Sequence, residues 1–239
     1  MPKRPNLSFQ IAIDGPVASG KSTIAKQLAD QLKMTYIDTG AMYRAMALAA
    51  QRNKIDWHNG PAVATLAAKI DIRLARPAGK KKDGRPVSVY LNNEDVSWKI
   101  RELEIGEGAS IIGIHKEVRK ILVKLQQDMC DGKRIVMEGR DIGSKVLPDA
   151  DLKIFMIADQ AERVKRKQKQ LKQVGEKVTK KQVQADIVSR DTREMTREID
   201  PLRPTLDAWQ LDTTHLSIEQ VMDEISKRVK MLEATQRKA

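Results

Sequence analysis

Apolar and polar positions divide this chain into short, compact apolar runs and longer stretches of helical spacing. FQIAID, Phe9 to Asp14, is an apolar run, and Ile24, Ala25, Leu28, Ala29 and Leu32 then recur at the helical period. A strand followed by an amphipathic helix is predicted. MTYID (34–38) comes next after a brief connection, where a crossover would return the chain to a neighbouring parallel strand. RIVME (134–138), LKIFMI (152–157) and WQLD (209–212) are further buried-strand candidates with helical pattern nearby. These segments predict an α/β fold with a five-stranded parallel core.

Between Ala68 and Val96 the rhythm changes. Ile70, Ile72 and Leu74 alternate, as do Val87, Val89 and Leu91, on either side of the turn-rich segment PAGKKKDGRP. This predicts an antiparallel hairpin that interrupts the βα alternation as a small inserted subdomain. From Glu162 to Lys181 the chain is strongly charged, with Arg163, Lys165, Arg166, Lys167, Lys169 and Lys172, and reads as a largely solvated helix hairpin. From Ser217 onward, Ile218, Val221, Met222, Ile225, Val229 and Leu232 fall on one face of a helix expected to pack on the sheet. Neither an internal repeat nor a low-complexity linker is present.

With 239 residues and 41% hydrophobic composition the chain can bury a substantial core. No apolar stretch approaches the ~18 residues that suggest a membrane span. The basic start MPKRPNLSF meets the strand-like run at Phe9 without an apolar h-region. A cytoplasmic location is expected, and a single cysteine, Cys130, excludes both an internal disulfide and a metal site built from cysteines. The net charge of +12 attracts nucleic acid, anionic membranes and small phosphorylated molecules alike. Aromatic residues at 3% argue against a surface that stacks single-stranded bases.

The candidate chemistry begins at GPVASGKST, between the first strand and the first helix. Gly15, Gly20, Lys21 and Ser22 fit the phosphate-loop spacing G-x-x-x-x-G-K-[ST] in the strand–loop–helix setting it requires. Backbone N–H groups of Gly15, Pro16, Val17, Ala18, Ser19, Gly20, Lys21, Ser22 and Thr23, proline excepted, are expected to converge on a β-phosphate with help from the positive end of the helix. Lys21 would reach the β- and γ-phosphates and the Ser22 hydroxyl would face Mg²⁺, so ATP with Mg²⁺ is implied. Asp14 and Asp141 are candidates for the outer metal shell or, equally, for anchoring the loop. His58, His115 and His215 are scattered and read as surface or packing residues.

AIDGPVASGKST, YIDTGAMYRA, EGRDIGSKVLPDADLKIF, RDTREMTREIDPL and LDTTHLSIEQV, in this order from about Phe9 to Val229, resemble the cytidylate kinase family. The resemblance implies a P-loop NTPase fold with helices on both faces of the sheet, an antiparallel insert and a short lid. It divides a single unit over 1–239 into a core (about 9–38, 130–160 and 198–235), a monophosphate-binding subdomain (39–120, with the insert at about 68–98), and the lid with its flanking helices (160–197). It further implies transfer of the ATP γ-phosphoryl group to CMP or dCMP. Thr39 and Arg44 match acceptor-site positions, with Arg44 on the CMP phosphate. Ser110 and Arg119 match positions that read the cytosine ring, and Arg190 and Arg197 match phosphate-contacting arginines. Arg140 and Asp141 match a motif lining the cleft, with Arg140 expected on a phosphate. Arg163 and Arg166 fall on the matched lid, where they would close over the phosphates, while the other lysines of that run are expected to be solvated.

Two positions depart from the family's pattern. Glu194 stands in RDTREMTR where an aspartate in RDxxDxxR contacts the cytosine amine, and Lys116 stands where proline is common. The longer carboxylate is expected to retune pyrimidine discrimination. A phosphomonoester is largely deprotonated at neutral pH, its second pKa being about 6, so no general base and no catalytic triad are needed. Another small-molecule P-loop kinase is the alternative within the class, and a basic nucleic-acid-binding ATPase the alternative outside it. No heptad run or large apolar stripe asks for more than a monomer.

Overall fold

The computed structural model of the chain describes residues 8–130, 132–173 and 175–236. Five parallel strands form the core: β1 (Gln10–Asp14), β2 (Thr35–Asp38), β6 (Ile135–Gly139), β7 (Leu152–Ile157) and β8 (Trp209–Asp212), in the order β2-β6-β1-β7-β8. All five expected strands are present. Strand β1 lies at the centre and is buried along its whole length, which is why it reads as a continuous apolar run rather than an alternating one. Ile11 and Ile13 pack toward α1 (Lys21–Gln31) and α8 (Ile218–Gln236), while Ala12 joins the opposite layer with Ile37, Met137 and Ile142.

Asp14, the last residue of β1, lies beside Gly139 of β6 and Phe155 of β7. Strands β1 and β6 therefore end together, with β7 running two residues further, at the carboxyl edge of the sheet, the usual position of a ligand crevice in an open α/β fold. The loop from Gly15 to Gly20 occupies this end.

On α8, Val221, Met222, Ile225 and Val229 are buried as expected, but Ile218 is 44% exposed. Ile218 is the first residue of the helix, and the turn before it is closed by Ser217 and Gln220 bonding each other's backbone N–H groups, a capping box that leaves the Ile218 side chain outward.

The second sheet holds β3 (Ile72–Ala75), β4 (Ser88–Leu91) and β5 (Glu94–Asp95), all antiparallel. Ile72 pairs with Leu91 and Leu74 with Val89 on the inner face, and Arg73 pairs with Tyr90 on the outer face, its guanidinium 4.6 Å from the ring centroid. The third strand was not legible in the apolar alternation. It follows a two-residue turn in which Asn92 and Asn93 both have positive φ, the geometry that matches strand twist in tight hairpins.

Helix α2 (Thr39–Arg52) packs on strands of both sheets, with α3 (Gly60–Ala67), α4 (Leu103–Ile112) and α5 (Lys116–Asp128) against it, and the hairpin of α6 (Gln160–Gln173) and α7 (Lys180–Thr196) completes the fold. That hairpin is not wholly solvated: Val164, Leu171, Val183 and Ile187 form a small core with Val17 of the loop after β1. Among the described residues no helix is long and apolar enough to cross a membrane.

Replacing Ile225, fully buried under the sheet, with alanine should lower unfolding free energy by about 2–5 kcal/mol, whereas Ile218→Ala should change it by less than about 0.5 kcal/mol. Urea denaturation of the two variants checks this, and equal losses would contradict the assigned faces.

Candidate active site

The loop between β1 and α1 turns on three residues at positive φ: Gly15 (+147°), Ala18 (+60°) and Gly20 (+99°). Only glycine fits at 15, since a Cβ there would lie 2.1 Å from the carbonyl oxygen of Met156. Helix α1 begins without a side-chain cap, so the N–H groups of its first turn point into the loop unpaired by any capping side chain. The Lys21 ammonium, 5% exposed, donates to the Pro16 carbonyl at 2.7 Å. Burial, and after it the neighbouring Arg140, lower its pKa to about 7. An anion in the loop would favour the charged form again.

Asp14 is the loop's anchor. Its two carboxylate oxygens accept from the N–H groups of Ile142 and Gly143, each at 2.8 Å. Burial raises its pKa to about 6 against those hydrogen bonds. The carboxylate that meets Ser22 is one not anticipated from sequence, Glu138 at the end of β6. The Ser22 hydroxyl donates to it at 2.9 Å and the Tyr36 hydroxyl donates to its other oxygen. Burial, then the nearby Asp38, push the Glu138 carboxyl above its ordinary value. Asp141, the other expected outer-shell candidate, points elsewhere and pairs with Arg119.

Helix α6 brings both expected lid arginines against the loop. Arg163 donates to the Val17 carbonyl at 3.3 Å and pairs with Asp191 of α7 at 2.6 Å. Arg166 donates to the Ser19 carbonyl at 3.4 Å and to the Thr213 carbonyl at 2.6 Å. Two turns of α6 therefore touch the loop's outer wall.

Around the space in front of Lys21 stand charged side chains from six parts of the chain. Arg140, just past β6, bonds Glu194 of α7 and the Gly139 carbonyl. Burial pushes the Glu194 carboxyl up, but Arg140 and then Arg190 more than offset this and hold it below the ordinary value. Arg44 of α2 bonds Asp38 at 3.0 Å. Arg101, in the short helical turn Lys99–Arg101, faces Arg44, Asp38 and Glu138. Lys167 of α6, expected to be solvated, instead faces Arg190, Asp186, Arg44 and Arg101. It lies four residues from buried Arg163 and four from buried Leu171, on the inward stripe of its helix.

Cations outnumber carboxylates here. Lys21, Arg44, Arg101, Arg140, Lys167 and Arg190, with Arg163 behind them, stand against Asp14, Asp38, Glu138, Asp186, Asp191 and Glu194, and buried donors on Arg44 (Nε), Arg101 (Nε and Nη2) and Arg190 (Nε), like the acceptors Asp186 Oδ2 and Asp191 Oδ1, lack hydrogen-bond partners among the described residues. A buried donor without an acceptor is costly, and several around one space are a signature of an anion site.

The remaining expected residues divide into two groups. Arg119, Asp141 and Arg197 are brought together: Arg119 pairs with Asp141 and with Asp200 at 3.1 Å, and Arg197 lies 3.8 Å from Asp141 and donates to the Asp200 carbonyl. Tyr43 and the Gly113 carbonyl join this network. Ser110 is held apart from it, accepting from Arg193 at 2.8 Å, while Thr39 donates to the Glu138 carbonyl at 2.8 Å. Arg193, Asp200 and Asp38 had no sequence signal as site residues beyond their charge.

A glycine-tight loop of phosphate-loop spacing at the carboxyl end of the central strand, facing a cluster of buried arginines, defines a P-loop kinase fold. The chain belongs to the cytidylate kinase family, whose profile (Cytidylate kinase) matches residues 11–231. Curated relatives named cytidylate kinase include one from Caldicellulosiruptor bescii, 46% identical over 217 residues that cover 91% of this chain and 93% of the relative. Another, from Thermotoga maritima, is 43% identical over 94% of this chain and 98% of its own. The solved structure of TT1252 from Thermus thermophilus aligns with 93% of this chain and 98% of its own at TM-score 0.42 and 17% identity, too distant to bear on the site.

Removing the Glu194 carboxylate would leave Arg140 and Arg190 facing each other in a buried space. Glu194→Ala should therefore lose about 3–5 kcal/mol of stability, measured by denaturant unfolding, and an unchanged midpoint would contradict the pairing.

Proposed function

We propose that the protein is a nucleoside monophosphate kinase that transfers the γ-phosphoryl group of ATP to CMP and dCMP, giving ADP with CDP or dCDP. The observation that carries the reading is the surplus of buried cations with unpartnered donors between the phosphate loop and Arg44, in a chain of the cytidylate kinase family. Two polyanions must meet for the reaction. An acceptor phosphate oxygen forms a bond to the γ-phosphorus while the bond from that phosphorus to the β,γ-bridging oxygen breaks, and the electron pair leaves on ADP. The fixed cations reduce the repulsion between the phosphates and hold them in line.

The assigned roles follow the contacts. The loop from Gly15 to Thr23, with Lys21, holds the donor phosphates, and Arg163 and Arg166 close its outer wall against water. Arg44, Arg140 and Arg190 hold the phosphates that meet. Ser22 and Glu138 suit Mg²⁺, because a hydroxyl and a carboxylate bonded to each other beside the loop provide the oxygen donors that this cation prefers, directly or through water. Bound there, the ion would neutralise charge on the donor phosphates. The ring-reading role passes to Arg119 with Asp141, because Glu194 is engaged by Arg140 and Arg190 on the phosphate side. The enzyme acts as a soluble cytoplasmic monomer on free nucleotides.

The direct test is ADP release with ATP and Mg²⁺ across CMP, dCMP, UMP, AMP, GMP and shikimate, and absence of stimulation by any cytidine nucleotide would end the proposal. Lys21→Ala should lower kcat roughly 10²–10³-fold with the fold intact. Asp141→Asn should shift the CMP to UMP ratio of kcat/KM by about 10-fold or more, while Glu194→Asp leaves that ratio unaltered and lowers kcat. A ratio that follows Glu194 instead of Asp141 would return the base-reading role to Glu194.

A further inference from the structure

The roles assigned so far leave two cations of the site unused, Arg101 and Lys167. Arg101 arrives on the turn that joins the antiparallel insert to α4, and its Nε and Nη2 are buried without a hydrogen-bond partner. Lys167 arrives from the opposite side on α6, and among the described residues no carboxylate comes within ion-pair distance of its ammonium. The charged groups that act on it most strongly are Arg190 and Asp186 of α7, Arg44 of α2, and Arg101 itself, with Glu107 of α4 and Glu194 of α7 behind Asp186. Asp186 is shared with Arg190, 3.9 Å away, and its Oδ2 accepts no hydrogen bond. Arg44 is paired with Asp38 and Arg190 also faces Glu194, but among the described residues neither Arg101 nor Lys167 has a carboxylate within ion-pair distance, an arrangement that gains stability from an anion placed between them.

We propose that Arg101 and Lys167 complete the cradle for the acceptor's phosphate, one from the insert side and one from the lid side, and that Lys167 couples acceptor binding to proton uptake. The proposal rests on the kinase reading above. Arg44, the arginine expected on that phosphate, is the neighbour common to both. A phosphate between them would accept from the free guanidinium donors of Arg101 and from the ammonium. Because the two side chains approach from separate elements, contact with one phosphate would also draw α6 toward the insert.

Lys167 is the member of this group whose proton can leave in the working pH range. Burial, then Arg190, lower its pKa to about 8. A phosphate dianion beside it favours the charged form and raises that pKa, so binding above pH 8 takes up a proton. The sign follows directly: acceptor affinity is full below about pH 8 and falls as pH rises through that value. An arginine at this position would keep its charge and remove the dependence.

The test starts with wild-type ADP formation on CMP, since failure there would refute the kinase reading and leave the cradle without its substrate. Given that activity, Arg101→Met and Lys167→Met should each raise the KM for CMP about 10–100-fold at pH 7 with a smaller change in the KM for ATP. At saturating ATP and Mg²⁺, the wild-type KM for CMP should climb above pH 8, approaching 10-fold per pH unit, whereas Lys167→Arg should hold it level from pH 7 to 9.5. Lys21 titrates too, but it does so in both proteins, so the difference between them isolates Lys167. Calorimetry of CMP binding at pH 8.5 in buffers of different ionisation enthalpy should show proton uptake by wild type that Lys167→Arg lacks. Unchanged KM values in the methionine variants, or identical pH profiles and proton uptake for wild type and Lys167→Arg, would overturn the proposal.

Discussion

Six cationic side chains converge on one partly dry space, and their mutual repulsion is the constraint that the surrounding structure answers. A guanidinium or ammonium removed from water loses hydration, and each like-charged neighbour adds to the cost. Asp38, Glu138, Asp186 and Glu194, with Asp14 beside Lys21 and Asp191 beside Arg140, offset part of it. The proton equilibria record the contest: Lys21 and Lys167 fall to about 7 and 8, while Glu194, between Arg140 and Arg190, is held ionised despite its burial. The balance remains positive. Under the proposed function, phosphate would supply both the missing charge and acceptors for guanidinium donors that have none, so that binding and chemistry would draw on the same residues.

Holding such a cluster requires elements that cannot relax away from one another. Glu138 and Arg140 extend from the end of β6, a strand buried in the parallel sheet, and Lys21 begins the helix that leaves β1 beside it. Glu194 and Arg190 project from α7, which packs on α4. A small residue on α4 permits that approach, Gly106 lying 3.6 Å from the Arg190 guanidinium, measured from where its Cβ would be, and just past the helix the Gly113 carbonyl accepts from both Arg119 and Arg197. The α6–α7 hairpin is tied in turn to the phosphate loop through Arg163, Arg166 and the apolar contact of Val17 with Val164, Leu171, Val183 and Ile187. In the proposed reaction, closing over the donor and gripping the acceptor would thus fall to one hairpin.

What could be read beforehand depended on whether the signal was local. The five strands were legible because each is a contiguous apolar run, and the phosphate loop because its spacing and its strand–helix setting lie within about two dozen residues of sequence. Glu138 was missed because nothing in RIVMEG announces that its carboxylate meets Ser22, 116 residues earlier in the chain. Arg101 sits in a turn without periodicity. Lys167 did carry a signal, its spacing from Arg163 and Leu171, but the surrounding lysines concealed an inward position in a run that reads as solvated. Resemblance placed Arg190, Glu194 and Arg197 in the same neighbourhood; which carboxylate faces which arginine depends on the side-chain packing of α4, α5 and α7. That packing sets Asp141, not Glu194, beside Arg119.

The central claim is that the excess positive charge in front of Lys21 exists to hold phosphate from both nucleotides at once. A crystal structure with CMP and a non-hydrolysable ATP analogue tests it most directly. Oxygens of the acceptor phosphate should lie within hydrogen-bond distance of Arg44, Arg101 and Lys167, with the analogue's γ-phosphate against Lys21. If the acceptor phosphate lies elsewhere, with Arg101 and Lys167 turned to protein carboxylates or to solvent, the claim is contradicted.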